Sequence, residues 1–144
     1  MSWLPKQKVL VPVDFSDTSM EAIATAVELA SEPSVVHVLH VLVPLEGLSP
    51  GVVWGEVNDA SREKAVRATF AKYADEHGLK DVTFDVEFGD PGFEITDYAE
   101  KLGTDLIVIS SHGYGGFKRF VLGSVAERVL RHALCPVLVL RRSD

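Results

Sequence analysis

Apolar residues in this chain gather in short continuous runs that alternate with stretches repeating every three to four positions. The first run, Val9 to Val13 (VLVPV), suits a strand buried on both faces, with Pro12 near its end, where a missing N–H is tolerated. Met20, Ile23, Ala24, Val27 and Ala30 then recur at helical spacing and predict an amphipathic helix over residues 17–31. Ser16 is its candidate N-cap, with Thr18 and Glu21 as an alternative capping box, and Pro33 ends it. Val35 to Val43 (VVHVLHVLV) reads as the second strand. Its two histidines, His37 and His40, point to opposite faces and so cannot form a metal-binding pair. Val57 to His77 reads as a long helix with Val66, Phe70, Tyr73 and His77 in one stripe, Ala60, Ala68 and Ala71 widening it, and Gly78 as the stop. Val82 to Phe88 (VTFDVEF) alternates as an edge or half-exposed strand does. Asp90 and Pro91 open a third helix as N-cap and first helical residue, Ile95, Ala99 and Leu102 face inward, and Gly103 closes it. Asp105 to Ile109 is the fourth strand, Ser124 to His132 the last helix with a Ser124–Glu127 capping box, and Pro136 to Leu140 the last strand.

Strands alternating with helices imply a parallel sheet covered on both faces. Open sheets of this kind bind ligands beyond the carboxyl ends of the strands, where the strand order reverses. With the first and fourth strands as the two sides of that point, Asp14 faces the loop Ser110–Gly116. The connection Pro44 to Glu56 (PLEGLSPGVVWGE) exceeds the usual length and reads equally as a lid or as a packed surface loop.

The stretch from Leu106 to Val125 carries the candidate chemistry. Its apolar run stops at Ser110-Ser111-His112-Gly113, followed by Gly115, Gly116, the basic pair Lys118 and Arg119, and Gly123-Ser124 at a helix start. A dinucleotide fingerprint fails because Lys118 stands where the third glycine belongs and the loop follows the fourth strand. A P-loop needs G-K-[ST] and a nucleophile elbow needs G-x-S-x-G; neither is present. A receiver domain needs a cluster of acids after the first strand, and Asp14 has only Asp17 near it. What remains is Gly113, nine residues, then Gly123-Ser124. Two close backbone approaches flank a helix start, where free N–H groups and the helix dipole favour a polyphosphate.

Length and composition narrow the class. With 144 residues, 47% of them hydrophobic and 24% charged, the chain reads as one domain spanning 1–144, with an ordinary globular composition. A net charge of -7 and no basic stripe argue against nucleic acid as a partner. The lone Cys135 precludes an internal disulfide, the N-terminus lacks a secretory h-region, and no apolar run approaches the roughly 20 residues that span a bilayer. These features predict a cytoplasmic protein without a membrane partner.

The stretch SSHGYGGFKRFVLGSVAERVLRHALCPVLVLR resembles the C-terminal half of the universal stress protein family, and VLVPVDFSDTSMEAI and HVLHVLVP resemble its first strand, first helix and second strand. The likeness covers essentially the whole chain. It implies an open five-stranded parallel sheet of order 3-2-1-4-5, helices on both faces, in an adenine-nucleotide-binding Rossmann-like α/β fold. The family's ATP-binding branch carries G-x2-G-x9-G-[ST], which falls on Ser110, Gly113, Gly123 and Ser124, with Ser110 in place of a glycine. The resemblance further implies a ribose contact at Asp14, an adenine contact at Val41, and a base pocket lined by backbone at Val13 and Ile109, with Pro12 also counted in the nucleotide site. Phosphates would fall to Gly113, Gly123, Ser124 and Val125, with His112 also counted in the nucleotide site and ATP as ligand, accompanied by Mg²⁺. It implies homodimerisation through the last strand, Pro136 to Arg141.

Simpler roles stand beside these. Asp14 is either a ribose ligand or a cap for the first helix, and the Ser124 hydroxyl serves either the capping box or a phosphate. Lys118 and Arg119 read as a solvated face. His112, adjacent to Ser111 and without an acid to orient it, reads as a loop hydrogen-bonding residue and not as a general base. The expected function is therefore ATP-dependent stress response or signalling with at most slow hydrolysis. The alternatives are an interaction module with an empty crevice, or a slow nucleotide hydrolase.

Overall fold

The computed structural model describes residues 2–44, 58–111 and 122–141. Five strands, β1 (Val9–Pro12), β2 (Val36–Leu42), β3 (Thr83–Phe88), β4 (Leu106–Ser110) and β5 (Val137–Leu140), form one parallel sheet in the order β3-β2-β1-β4-β5. The connecting helices are α1 (Asp17–Leu29), α2 (Asp59–His77), α3 (Pro91–Leu102) and α4 (Ser124–His132). The parallel sheet matches the expectation from the alternating pattern, and its order the one that the resemblance implies.

Strand periodicity divides the core into two layers. Val9, Val11, Val36, Val38, Leu106 and Val108 join Ile23 of α1 and Phe70 of α2 on one face. Leu10, Leu39, Ile107 and Ile109 join Ile95 and Ala99 of α3 and Ala126 and Val129 of α4 on the other. Each fully buried aliphatic side chain contributes roughly 1.5–3 kcal/mol, so β1, β2 and β4, buried on both sides, form the centre of stability.

Several local expectations need correction. Helix α1 ends at Leu29, before a 3₁₀ turn at Pro33–Val35, and it buries Ala22 and Ala26 where Ala24 is exposed. Helix α2 starts at Asp59, capped reciprocally by Asn58 and Ser61. It buries only Phe70 and Ala74; Ala60, Ala68 and Ala71 are exposed because they lie about 80° or more around the helix from Phe70. Among the described helices, none is long and apolar enough to cross a membrane.

The β3 edge is tied to both helical layers. Asp85 accepts from Arg67 of α2 at 3.2 Å through Oδ1 and from the Tyr98 hydroxyl of α3 at 3.2 Å through Oδ2. Burial, helped by the Asp85 charge, pushes the Tyr98 phenol up to about 12.

His37, two residues before Leu39 on the α3 side, has a buried Nδ1 with no hydrogen-bond partner among the described residues. Burial, then the nearby Lys8 ammonium, holds its pKa below the ordinary value of 6.5, against a smaller opposing pull from Asp85. The unfolded chain therefore takes up a proton below about pH 6.5 that the folded chain refuses, and stability falls as pH falls through that window. Urea midpoints at pH 7 and pH 5 are expected to differ less in His37→Leu than in wild type. An unchanged difference would remove His37 as the cause.

Candidate functional site

Strands β1 and β4 pair only at Val9–Leu106 and Leu10–Ile107. Asp105 fixes this register by accepting from the N–H groups of Gln7 at 2.8 Å and Lys8 at 3.0 Å. Beyond it the two strands separate, because β1 is followed by an excursion to β2 and β4 by one to β5. The gap is a crevice of about 390 Å³ at the carboxyl ends of the strands.

The crevice gathers Pro12, Val13, Asp14, Val41, Ile109, Ser110, Gly123, Ser124 and Val125 from the sequence-predicted set. His112 and Gly113, like Lys118, Arg119 and most of the Pro44–Glu56 connection, lie outside the described residues. Ser111, in the expected loop, also lines it, as do Leu39, His40, Pro91, Ile95, Ser19 and Ala126, which were not foreseen. His40 enters the sequence reading only as one of two histidines on opposite faces of the second strand. Its position one residue from Val41 was the available signal.

Asp14 stands outside helix α1. Its Oδ1 accepts from the Ser16 N–H at 2.9 Å and from the Ser16 hydroxyl at 2.5 Å, and its own N–H donates to Ser19 Oγ at 3.2 Å. Ser16 is the N-cap, as expected, accepting from the Ser19 N–H at 3.3 Å. Asp14 thus braces the cap from the crevice side. The turn passes through Phe15 at φ 67, a left-handed conformation that costs a non-glycine residue of order 1–3 kcal/mol. Packing holds it there: the Phe15 ring lies 4.9 Å from His40 and 6.4 Å from Phe84.

Opposite Asp14 is the start of α4. The expected Ser124–Glu127 capping box does not form. Gly123, at φ -63 and ψ 152, is the N-cap, which makes Ser124 the first helical residue, and no side chain caps the helix. The starts of α1, α2 and α3 carry Ser16, Asn58 and Asp90 as side-chain caps. The Gly123 N–H donates to the Ser111 carbonyl at 2.8 Å, and the Ser111 N–H donates to Leu140 at 2.9 Å, so the helix start is tied to the ends of β4 and β5. The N–H groups of Ser124, Val125 and Ala126 have no intrahelical acceptor, and all three residues line the crevice.

The crevice therefore has apolar walls from Val13, Leu39, Val41, Ile95 and Ile109, a carboxylate at one side and a helix N-terminus at the other. Apolar walls suit a planar ring, the carboxylate suits hydroxyl donors, and the helix start suits an anion.

A family model described as the universal stress protein family matches residues 6–141. The chain is 38% identical over 141 residues to universal stress protein MJ0531 of Methanocaldococcus jannaschii, covering 94% of this chain and 82% of that protein. The solved structure of MJ0577, from the same organism, is similar with a TM-score of 0.75 at 30% identity, over 98% of this chain and 99% of that one. A universal stress protein family protein from Arabidopsis thaliana, solved with AMP bound, shares the fold with a TM-score of 0.63 at 22% identity, over 96% and 93% of the two chains. Sheet order, family match and near full-length relatives agree: the chain belongs to the universal stress protein family.

Proposed function

We propose that the crevice binds ATP and that the protein acts in stress response or signalling by reporting nucleotide occupancy. The observation that carries this reading is the start of α4, without a side-chain cap, facing Asp14 across an apolar crevice. The base would lie against Val13, Val41 and Ile109, the ribose would meet Asp14, and the phosphates would meet the N–H groups of Ser124 and Val125. The Arabidopsis protein, which shares the fold at 22% identity, was solved with AMP bound, and this supports an adenine nucleotide as the ligand. No group of three or more His, Cys, Asp or Glu residues among those described forms a metal cage. Mg²⁺ would accordingly arrive on the phosphates, as it does where substrate oxygens supply most of its ligands.

Calorimetric titration of ATP into wild type and into Ser124→Pro tests the reading. Binding by neither protein, or equal binding by both, removes it.

We further propose that the protein is a homodimer through β5. This strand is an edge whose four residues are only half-buried, beside Leu130 and Leu134, which are 42% and 81% exposed. An uncovered apolar edge is an invitation to pair. Light scattering is expected to give twice the chain mass, and Leu134→Glu to shift it toward the monomer; a monomeric wild type would end the proposal.

A further inference from the structure

The β1–β2 ladder stops one rung short of where its geometry would carry it, and a side chain stands on the acceptor of the missing rung. The Val13 N–H donates to the Leu39 carbonyl at 2.8 Å, so the main-chain groups of Leu39 face β1. The Gly89 N–H donates to the Leu42 carbonyl at 2.9 Å, so those of Leu42 face β3. Strand periodicity then turns the N–H and C=O of Val41 toward β1. The next rung of a parallel ladder would be Val41 N–H to Val13 C=O. Among the described residues that bond is not made. The Val13 carbonyl instead lies 2.7 Å from His40 Nδ1. A carbonyl only accepts, so Nδ1 carries the hydrogen. The ring is held in place by Phe15, 4.9 Å away.

We infer that His40 is a positioning residue that ends the β1–β2 ladder and holds the main-chain edge of Val41 open to the crevice, where it reads the base. This rests on the nucleotide reading above and adds a cause for its base site. Val41 is half-buried and lines the crevice. It offers one donor and one acceptor from a rigid strand, the complement of a ring edge that sets an acceptor beside an amino donor, as N1 and the 6-amino group of adenine do. With that rung completed the donor would be spent and only the acceptor would remain.

Two substitutions separate this role from a merely structural one. His40→Leu removes the donor that orients the Val13 carbonyl, leaving that carbonyl to turn to the Val41 N–H. His40→Asn places an amide donor near the position of Nδ1. In the nucleotide-free protein, Val41 amide hydrogen exchange is expected to slow at least tenfold in His40→Leu and to stay at the wild-type rate in His40→Asn. ATP affinity is expected to fall about tenfold in His40→Leu, with inorganic tripolyphosphate binding unchanged, and to recover in His40→Asn. Equal Val41 exchange in wild type and His40→Leu overturns the inference, as does a parallel loss of ATP and tripolyphosphate binding. If wild type binds no ATP, the nucleotide reading fails by itself, and the exchange rates still decide whether His40 holds the Val41 edge open.

Discussion

Ser124→Pro is expected to weaken ATP binding by a factor of roughly 10–100 while leaving folding stability unchanged. Ser124 is the first residue of α4, the position where proline is best tolerated, since its missing N–H has no intrahelical acceptor to serve. Proline also requires an extended residue before it, and Gly123 already has φ -63 and ψ 152. The substitution therefore preserves the helix and deletes one N–H and one hydroxyl from the proposed phosphate site. A hydrogen bond to a charged group contributes about 1.5–3 kcal/mol, which gives the expected range. Ser124→Ala keeps the N–H and is expected to lose only a few-fold. Calorimetry and urea unfolding on the same preparations separate the two effects. If Ser124→Pro unfolds more easily by more than about 1 kcal/mol, its loss of binding says nothing about the N–H.

Ile107→Ala is expected to destabilise the fold by about 2–5 kcal/mol, the range for deleting a large buried aliphatic side chain. Ile107 is fully buried on β4, pairs with Leu10 of β1 and Val137 of β5, and packs in the layer covered by α3 and α4. Strands on both sides and helices above leave little room for the cavity to collapse, which favours the upper half of the range. The urea midpoint measures it. A loss below about 1 kcal/mol would mean that this layer is far softer than its burial indicates. The same layer supplies Ile95, Ile109 and Ala126 to the crevice wall, so nucleotide affinity should fall with it.

Much of this architecture was legible because strands buried on both faces leave continuous apolar runs, and because Asp90-Pro91 and Gly78 punctuate helices by steric rules. The helical pattern of α1 and α2 placed both elements but misassigned their alanines. A methyl group fits the exposed or the buried side of a helix equally well, so Ala24, Ala60, Ala68 and Ala71 carried no directional information. The Ser124–Glu127 capping box failed for a related reason: Gly123 satisfies the same extended geometry as a serine N-cap, and sequence cannot tell which of the two residues starts the helix. His40 was missed because its role depends on where β1 stops, which is a property of the strand pairing and not of any local pattern.

The two edges of the sheet differ in a way that bears on stoichiometry. At one end β3 carries the half-buried Asp85 and Glu87, with Asp85 held by Arg67 and Tyr98. At the other, β5 is Val137-Leu138-Val139-Leu140, without a charge. Two copies joined through β5 about a two-fold axis would present only β3 edges to solvent, and bringing those together would set carboxylates side by side. Under the proposed β5 pairing, association through the sheet would be self-limiting: the first pairing would use up the uncharged edge, and growth into a filament would have to bring carboxylate-bearing edges together.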